Sequence, residues 1–334
     1  MNLALKQFLE NEVEPLSAEG DHSFATLNKL FKLLGERGFY GLSVQANLSN
    51  KAISKKESFD NRACLTKHSG ALSFLNSQID LSSNLLHQGQ NESLKQTILA
   101  PLLKGQIRIA NGVSHLRSDV AHIQVQKTQE GFILNGKVHW ITGFGHCDYF
   151  VMAFCDAECE YFALLPFRHL ALEGLTFSEP LQVMVMQATH TVRATLDNCF
   201  IANEQIINTQ EKGFWYQQMK NSQHILPYFY GIAVGALEVI QAQYQKENTY
   251  LQGLWDTLQL LREQITAEGE KDLLDYRVNI TRCAYDCLQA AIVVSKGKAM
   301  DPNSKISRLY REIVQFNALA ALEEYVDRSL QSYS

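Results

Sequence analysis

Gly131-Phe132-Ile133-Leu134-Asn135-Gly136-Lys137-Val138-His139-Trp140-Ile141-Thr142 decides how this chain is read. Phe132 and Leu134 alternate with their neighbours, which is the period of a strand with one buried face. Asn135-Gly136 sits between two such runs and predicts a tight hairpin there. Working outward, Ile107 and Ile109 alternate in the same way, as do Ile123 and Val125. Residues 148–155 and 161–165 continue the strands, and Val192, Ala194, Leu196, Asn198 and Phe200 close the series. A small antiparallel barrel or sandwich over residues 106–208 is expected.

On both sides of this zone the period changes to that of a helix. In residues 1–105, Leu5, Phe8, Leu9 and Val13 form one stripe, and Leu27, Leu30, Phe31 and Leu34 form another. Gly35 and Gly38 follow the second stripe, where a helix C-terminus favours glycine. Leu94, Ile98, Leu99 and Leu102 mark a last helix before Lys104-Gly105, so about four helices are predicted. Residues 209–334 read as helices over 211–246, 248–267, 272–295 and 303–330, a spacing that fits an antiparallel four-helix bundle. Phe229, Val234 and Leu237 are expected at its core or seams, and Trp255 beside Leu258 and Leu261. The expected fold class is α+β: an N-terminal helical domain (1–105), a middle β domain (106–208) and a C-terminal helical bundle (209–334).

Composition narrows the function. The chain has 334 residues, with 35 acidic against 30 basic side chains, so it carries no basic stripe of the kind nucleic acid requires. The longest apolar runs, 150–154 and 290–294, fall far short of the roughly 20 residues of a membrane span. The first residues lack a signal-peptide pattern. Seven cysteines at irregular spacing suit a reducing compartment. A cytoplasmic protein is therefore expected.

No motif taken alone names a reaction. Cys283 and Cys287 lie one helical turn apart, but no second pair or nearby histidine completes a metal site. Cys155 and Cys159 flank a strand turn. His115, His122, His139 and His146 all fall in the β zone, either as a polar cleft or as scattered surface groups. Gly143-Phe144-Gly145 serves equally as a turn or as a place where a cofactor approaches the backbone. Walker, GxGxxG and GxSxG motifs are absent from the sequence, and no metal is expected.

The string 131–142 resembles the central motif of acyl-CoA dehydrogenases, a flavoprotein family. Ser118-Asp119-Val120 sits where that family ends its phosphate-side loop. Residues 187–207 look like its last β segment, Gly213-Phe214 like the entry to its C-terminal bundle, and Pro227 with Ala233-Val234-Gly235 like the first bundle helix. Ser307-Arg308-Leu309-Tyr310-Arg311-Glu312 is similar to the closing helix. The resemblance implies the same three-part fold, with FAD between the β domain and the bundle. FMN, or no flavin, is the alternative. It implies that Trp140 packs on the flavin ring, that Thr142 bonds near its reactive nitrogen, and that Ser118 meets the pyrophosphate. It also implies an acyl-thioester substrate and assembly as a homodimer or homotetramer. Read without that string, Trp140 is a hairpin core residue and Thr142 an ordinary strand end.

Several positions depart from the family pattern. Its catalytic Glu, which removes the substrate α-proton, falls on Ala320 in straight register, and its alternative base position falls on Ile225, with His224 beside it. Glu323 and Glu324 lie one turn beyond. Gly112 replaces the family's Thr at the flavin pyrimidine edge, and Val113-Ser114 replaces its Glu-Pro. The Arg-x-x-Phe-Gly string is absent from 245–253, and the glycine-rich turn has become Ser295-Lys296-Gly297-Lys298-Ala299-Met300-Asp301. Three functions compete. The first is a flavin oxidoreductase without the expected Glu, akin to the family's monooxygenase relatives, although those often place a His where this chain has Leu319-Ala320. The second is a dehydrogenase whose base has moved to Glu323 or Glu324. The third is a silent member used for binding or assembly.

Overall fold

The computed structural model describes residues 1–51, 53–117, 122–220, 224–269, 271–319 and 321–332. Ser118 and Ala320, both singled out above, lie outside the described residues.

The N-terminal region is divided into more helices than the four or so expected: α1 (Leu3–Phe8), α2 (Ser17–Gly20), α3 (Phe24–Glu36), α4 (Leu42–Leu48), α5 (Lys55–His68), α6 (Gly70–Gln88) and α7 (Glu92–Leu103). Small polar residues cut the apolar stripes. Ser23, Ser54, Ser69 and Asn91 each accept a backbone N–H from the first turn of α3, α5, α6 and α7. Such caps satisfy donors that a helix start leaves open.

Eight strands follow: β1 (Ile109–Gly112), β2 (Ile123–Lys127), β3 (Gly131–Ile141), β4 (Tyr149–Cys155), β5 (Cys159–Pro166), β6 (Leu175–Phe177), β7 (Val192–Ala202) and β8 (Ile206–Glu211). They form two four-stranded sheets, ordered β1-β4-β5-β8 and β2-β3-β7-β6. The β1–β4 pair is parallel, so the β region is not purely antiparallel as expected.

The hairpin expected at Asn135-Gly136 does not form. β3 runs unbroken through these residues, and Gly136 pairs with Ile123 at the start of β2. Gly136 has φ +143°, and a Cβ there would lie 2.2 Å from the His122 carbonyl oxygen. The glycine serves a close strand approach and a register shift against β7, not a turn. The turn between β2 and β3 is at residues 128–130, where the Thr128 hydroxyl donates to Gly131 O at 3.0 Å.

Two of the four long C-terminal helices are also broken. Residues 206–211 belong to β8; α8 (Phe214–Lys220) and α9 (Leu226–Gln243) follow, with Pro227 in the first turn of α9. Proline is tolerated there because its missing N–H would have no helical partner. After α10 (Thr249–Thr266) and α11 (Leu273–Ser295), the closing segment divides into α12 (Lys305–Ala318) and α13 (Glu323–Gln331). α9 is buried nearly all round, Phe229 and Leu237 included, and packs against α5, α10, α11 and α12. Val234 is partly buried against the core, as is Trp255 on α10.

One buried ion pair ties the two helical regions together. Arg308 donates to both Glu312 oxygens at 2.8 and 2.9 Å, and the Gly70 N–H at the start of α6 donates to the same carboxylate at 2.9 Å. Among the described residues no helix is long and apolar enough to cross a membrane.

Candidate functional site

β3 ends in a bulge. Val138 pairs with Ala194 and Ile141 with Val192, so His139 and Trp140 together oppose Arg193. The extra residue turns Val138 and Ile141 both inward, against Gly112 on β1, where a Cβ would come within 3.2 Å of each. It also turns Trp140 outward, 52% exposed. Bulges of this kind re-aim side chains beside functional sites. Trp140 is thus no hairpin core residue. Thr142, two positions on, is buried, and its hydroxyl lies 2.9 Å from that of Thr191. A hydroxyl donates once and accepts twice, so Thr142 retains bonding capacity.

Gly143-Phe144-Gly145 is a turn. Gly143 has φ +103°, and its carbonyl accepts from His146 and Cys147. Phe144 packs among Phe167, His169 and Phe177. Of the four histidines, His115, His122 and His139 are neighbours, with ring centres 6.4 and 5.2 Å apart. His146 lies elsewhere, against Asn28 and the Ala188 carbonyl. His115 donates from Nε2 to Ala153 O at 2.9 Å, and burial pushes its pKa down to about 4. It is a neutral structural group at neutral pH.

The chain leaves β1 through the short helical turn Ser114–Arg117, which packs against β3, β4 and α8. Arg117 closes the described part of this loop. Its Nε is buried with no hydrogen-bond partner, and burial lowers its pKa.

On the helical side the sequence candidates behave differently from one another. Ile225 caps α9 and is buried. The imidazole of His224 is enclosed, and burial, followed by the charges of Arg62, Arg117 and Arg277, drives its pKa down to about 3. A group that weakly basic is a poor proton acceptor. Glu323 is exposed at the start of α13, and Glu324 is held 2.8 Å from the Lys220 ammonium. Among the described residues no hydrogen bond or ion pair joins either of them to Trp140; what the helical side does supply is a set of arginines.

Arg277 was missed from sequence. It lies on α11 between Leu274 and Thr281, on the buried stripe, and is 4% exposed. It donates to the carbonyls of Asn317 and Leu319 at 3.2 and 2.8 Å, and its guanidinium stacks 3.7 Å from the Tyr325 ring centre. Arg277 therefore clamps the corner between α12 and α13. Arg62 on α5 pairs with Asp80 on α6 at 3.3 Å. A charge on an apolar helical stripe is the one signal that could have exposed Arg277 beforehand. The arrangement provides an aromatic plate and a buried hydroxyl on the β side, and concentrated positive charge on the helical side. A groove of about 470 Å³, lined among others by Asn91, Lys127 and Tyr161, includes neither Trp140 and Thr142 nor Arg277.

No protein-family model matches the chain. It is 23% identical over 223 residues to the mitochondrial isovaleryl-CoA dehydrogenase of Pongo abelii, covering 63% of this chain and 52% of that one. It is 26% identical over 223 residues to the 3-(aryl)acrylate reductase of Clostridium sporogenes, covering 63% and 57%. The chain spans about half the length of the curated relatives it matches. Among solved structures it resembles a glutaryl-CoA dehydrogenase in complex with glutaryl-CoA, at TM-score 0.82 and 13% identity over 97% of this chain and 91% of that one. It likewise resembles the butyryl-CoA dehydrogenase of Megasphaera elsdenii, at TM-score 0.79 and 16% identity over 99% and 96%. At such identities the structures speak for the fold. Together, curated relatives and solved neighbours consistently indicate the acyl-CoA dehydrogenase family, at a low sequence identity compatible with a divergent member.

Proposed function

We propose that the chain is a flavin-dependent oxidoreductase of acyl-CoA dehydrogenase type that works without the carboxylate base expected of that family. The observation that carries this reading is the pair at the end of β3: an outward-facing indole at Trp140 and a hydroxyl at Thr142. The pair fits the ring of a flavin, because an uncovered indole offers a stacking face and a hydroxyl can follow the proton demand of a reducible ring edge. A bound flavin would supply the two-electron acceptor that no side chain provides. Trp140 would hold the ring, Thr142 would donate to or accept from its edge, and Gly112 would keep β1 tight against Ile141 so that β3 keeps its bulge. Ser118 is the residue assigned to the pyrophosphate. FAD is the flavin named by the family resemblance.

The substrate in this reading is an acyl thioester or a related small molecule. Arg277 orders the α12–α13 corner that adjoins it, and His224, neutral at physiological pH, contributes no strong base. Two or four copies assembled through the C-terminal helices form part of the reading, supported by the exposed apolar side chains Val293, Val314, Val326 and Leu330. Seven free cysteines accord with a cytoplasmic location.

The test is an absorbance spectrum of purified protein, followed by flavin release and chromatography to tell FAD from FMN. Flavin bands are expected, and colourless folded protein that takes up neither flavin would leave the silent binding protein instead. Anaerobic mixing with saturated acyl-CoAs follows. Rapid flavin reduction abolished by Glu323→Gln or Glu324→Gln would instead identify a dehydrogenase with a relocated base.

A further inference from the structure

We propose that the groove between the α6–α7 connection and the β5–β8 edge is a ligand site of its own, for a small organic carboxylate with an apolar body. The inference goes beyond the oxidoreductase reading and does not depend on it. The groove holds about 470 Å³, within the range of small-molecule pockets. Lys127 is the one charged residue among the described residues that line it, and no carboxylate lines it.

A bulge builds the groove. Asn208 on β8 pairs with Phe162 and Ile206 with Ala163, so Ile207 is an extra residue on the β8 side. The Ile207 carbonyl accepts from the N–H groups of Gln90 and Asn91 at 3.0 and 3.2 Å. Asn91 also donates from Nδ2 to the carbonyls of Glu204 and Ile206 at 3.0 and 2.9 Å, and its Oδ1 accepts from the Leu94 N–H at 3.0 Å. Asn91 is thereby fixed as a wall. Asn208 is different: it is 4% exposed, and its Oδ1 accepts from the Thr209 N–H at 3.1 Å. Its Nδ2 has no hydrogen-bond partner among the described residues. Buried amide nitrogens are nearly always bonded, so the two N–H groups of Asn208 call for an acceptor in the groove.

The lining selects the ligand. Among the described residues Lys127 enters no salt bridge; its ammonium lies 5.9 Å from the ring centres of both Phe132 and Tyr161. Asp156 lies within reach of that charge, but its oxygens accept from the N–H groups of Glu158 and Cys159 and from the Tyr161 hydroxyl. A single ammonium matches a single negative charge on the ligand. An ammonium and an amide nitrogen, both donors, together suit the two oxygens of a carboxylate. Phe132, Ile206 and Tyr161 line the same groove and offer an apolar body a surface to cover. Inorganic phosphate has charge without that body, and a neutral amide has the body without the charge.

Benzoate serves as the probe, with its uncharged counterpart benzamide and with inorganic phosphate as comparisons. Binding to the full chain is measured by isothermal titration calorimetry and thermal shift, while absorbance records flavin content on the same samples. Benzoate is expected to bind and to raise the melting temperature, whereas benzamide and phosphate do neither. Lys127→Gln, a change at an exposed side chain, is expected to weaken benzoate binding about threefold to fivefold. Asn208→Asp keeps the acceptor for the Thr209 N–H and sets a negative charge against the ligand, so a loss of about tenfold or more is expected. Absence of benzoate binding to folded wild type, equal binding by Lys127→Gln, or benzamide or phosphate binding as tightly as benzoate would each overturn the proposal. If the Asp variant does not fold, the Lys127→Gln comparison still decides. Benzoate binding that depends on Lys127 supports the site whether or not the protein carries flavin.

Discussion

In the proposed reading, the end of β3 and the α12–α13 corner serve the same chemistry with different degrees of change. At the β3 end, the string that resembles the family lies on a bulged strand with an exposed indole and a buried hydroxyl. At the corner, the sequence register finds no carboxylate, the neighbouring histidine is depressed to a pKa of about 3, and Arg277 holds the backbone. In the proposed reading, a site that keeps a surface for holding a ring, while offering no carboxylate base, means altered chemistry on a retained scaffold. Holding a ring and accepting a proton are separable tasks, because they depend on different elements of the fold.

The sharpest way to break this comparison is to restore the missing group. Ala320→Glu, at the position the register assigns to the base, is expected to raise the rate of flavin reduction by saturated acyl-CoA about 10²–10⁴-fold. Stopped-flow absorbance measures it. A wild type already as fast as that variant would mean that the corner still carries a base.

Next in size is the scaffold both regions share. Arg308→Ala leaves Glu312 buried without its partner, and an expected loss of about 3–5 kcal/mol should appear in urea unfolding. A loss below about 1 kcal/mol would show that the two helical regions are held together mainly by apolar packing.

The helical side should also respond to acid where the β3 end does not. Glu14 lies 2.7 Å from His68 and 2.9 Å from Lys305. Burial alone would raise its pKa, but the bond to His68 and the charge of Lys305 outweigh burial and hold it down at about 2. A carboxyl lowered on folding contributes stability above its unfolded value of 4.5, and that contribution disappears as pH falls towards 2. With part of the side chain in solvent, Glu14→Gln is expected to cost about 1–2 kcal/mol at pH 7. Chemical denaturation at pH 7 and at pH 3 should show that difference shrinking. An undiminished difference at pH 3 would refute the assignment.

The smallest effect tests the indole. Trp140→Ala is expected to weaken flavin binding by about 0.5–1.5 kcal/mol, a several-fold change, in a fluorescence titration. Trp255→Ala, on the core side of α10, should lower stability and leave flavin affinity unchanged. Equal flavin retention by both folded variants would remove Trp140 from the ring.

Much of this was legible in the residues. The last helix before the sheets and the turn flanked by Cys155 and Cys159 follow from spacing that local structure obeys. The break between α8 and α9 had its signals in the polar residues 221–224 and in Pro227. The break before α13 was hidden, because the apolar residues 319–322 continue across it.

By itself the sequence determined the succession of helical, two-residue and helical periods, and with it the α+β class. A period is a property of neighbouring residues and survives any choice of tertiary partners. Tertiary structure alone decided that Asn135-Gly136 opens a close strand approach instead of a turn, since a glycine at positive φ serves either purpose until its neighbours are known. It alone turned Trp140 outward, through a bulge that exists only against β7. It alone set Arg277 under the carbonyls of Asn317 and Leu319 and against the Tyr325 ring, because such contacts are fixed by distance in space and join parts of the chain far apart in sequence.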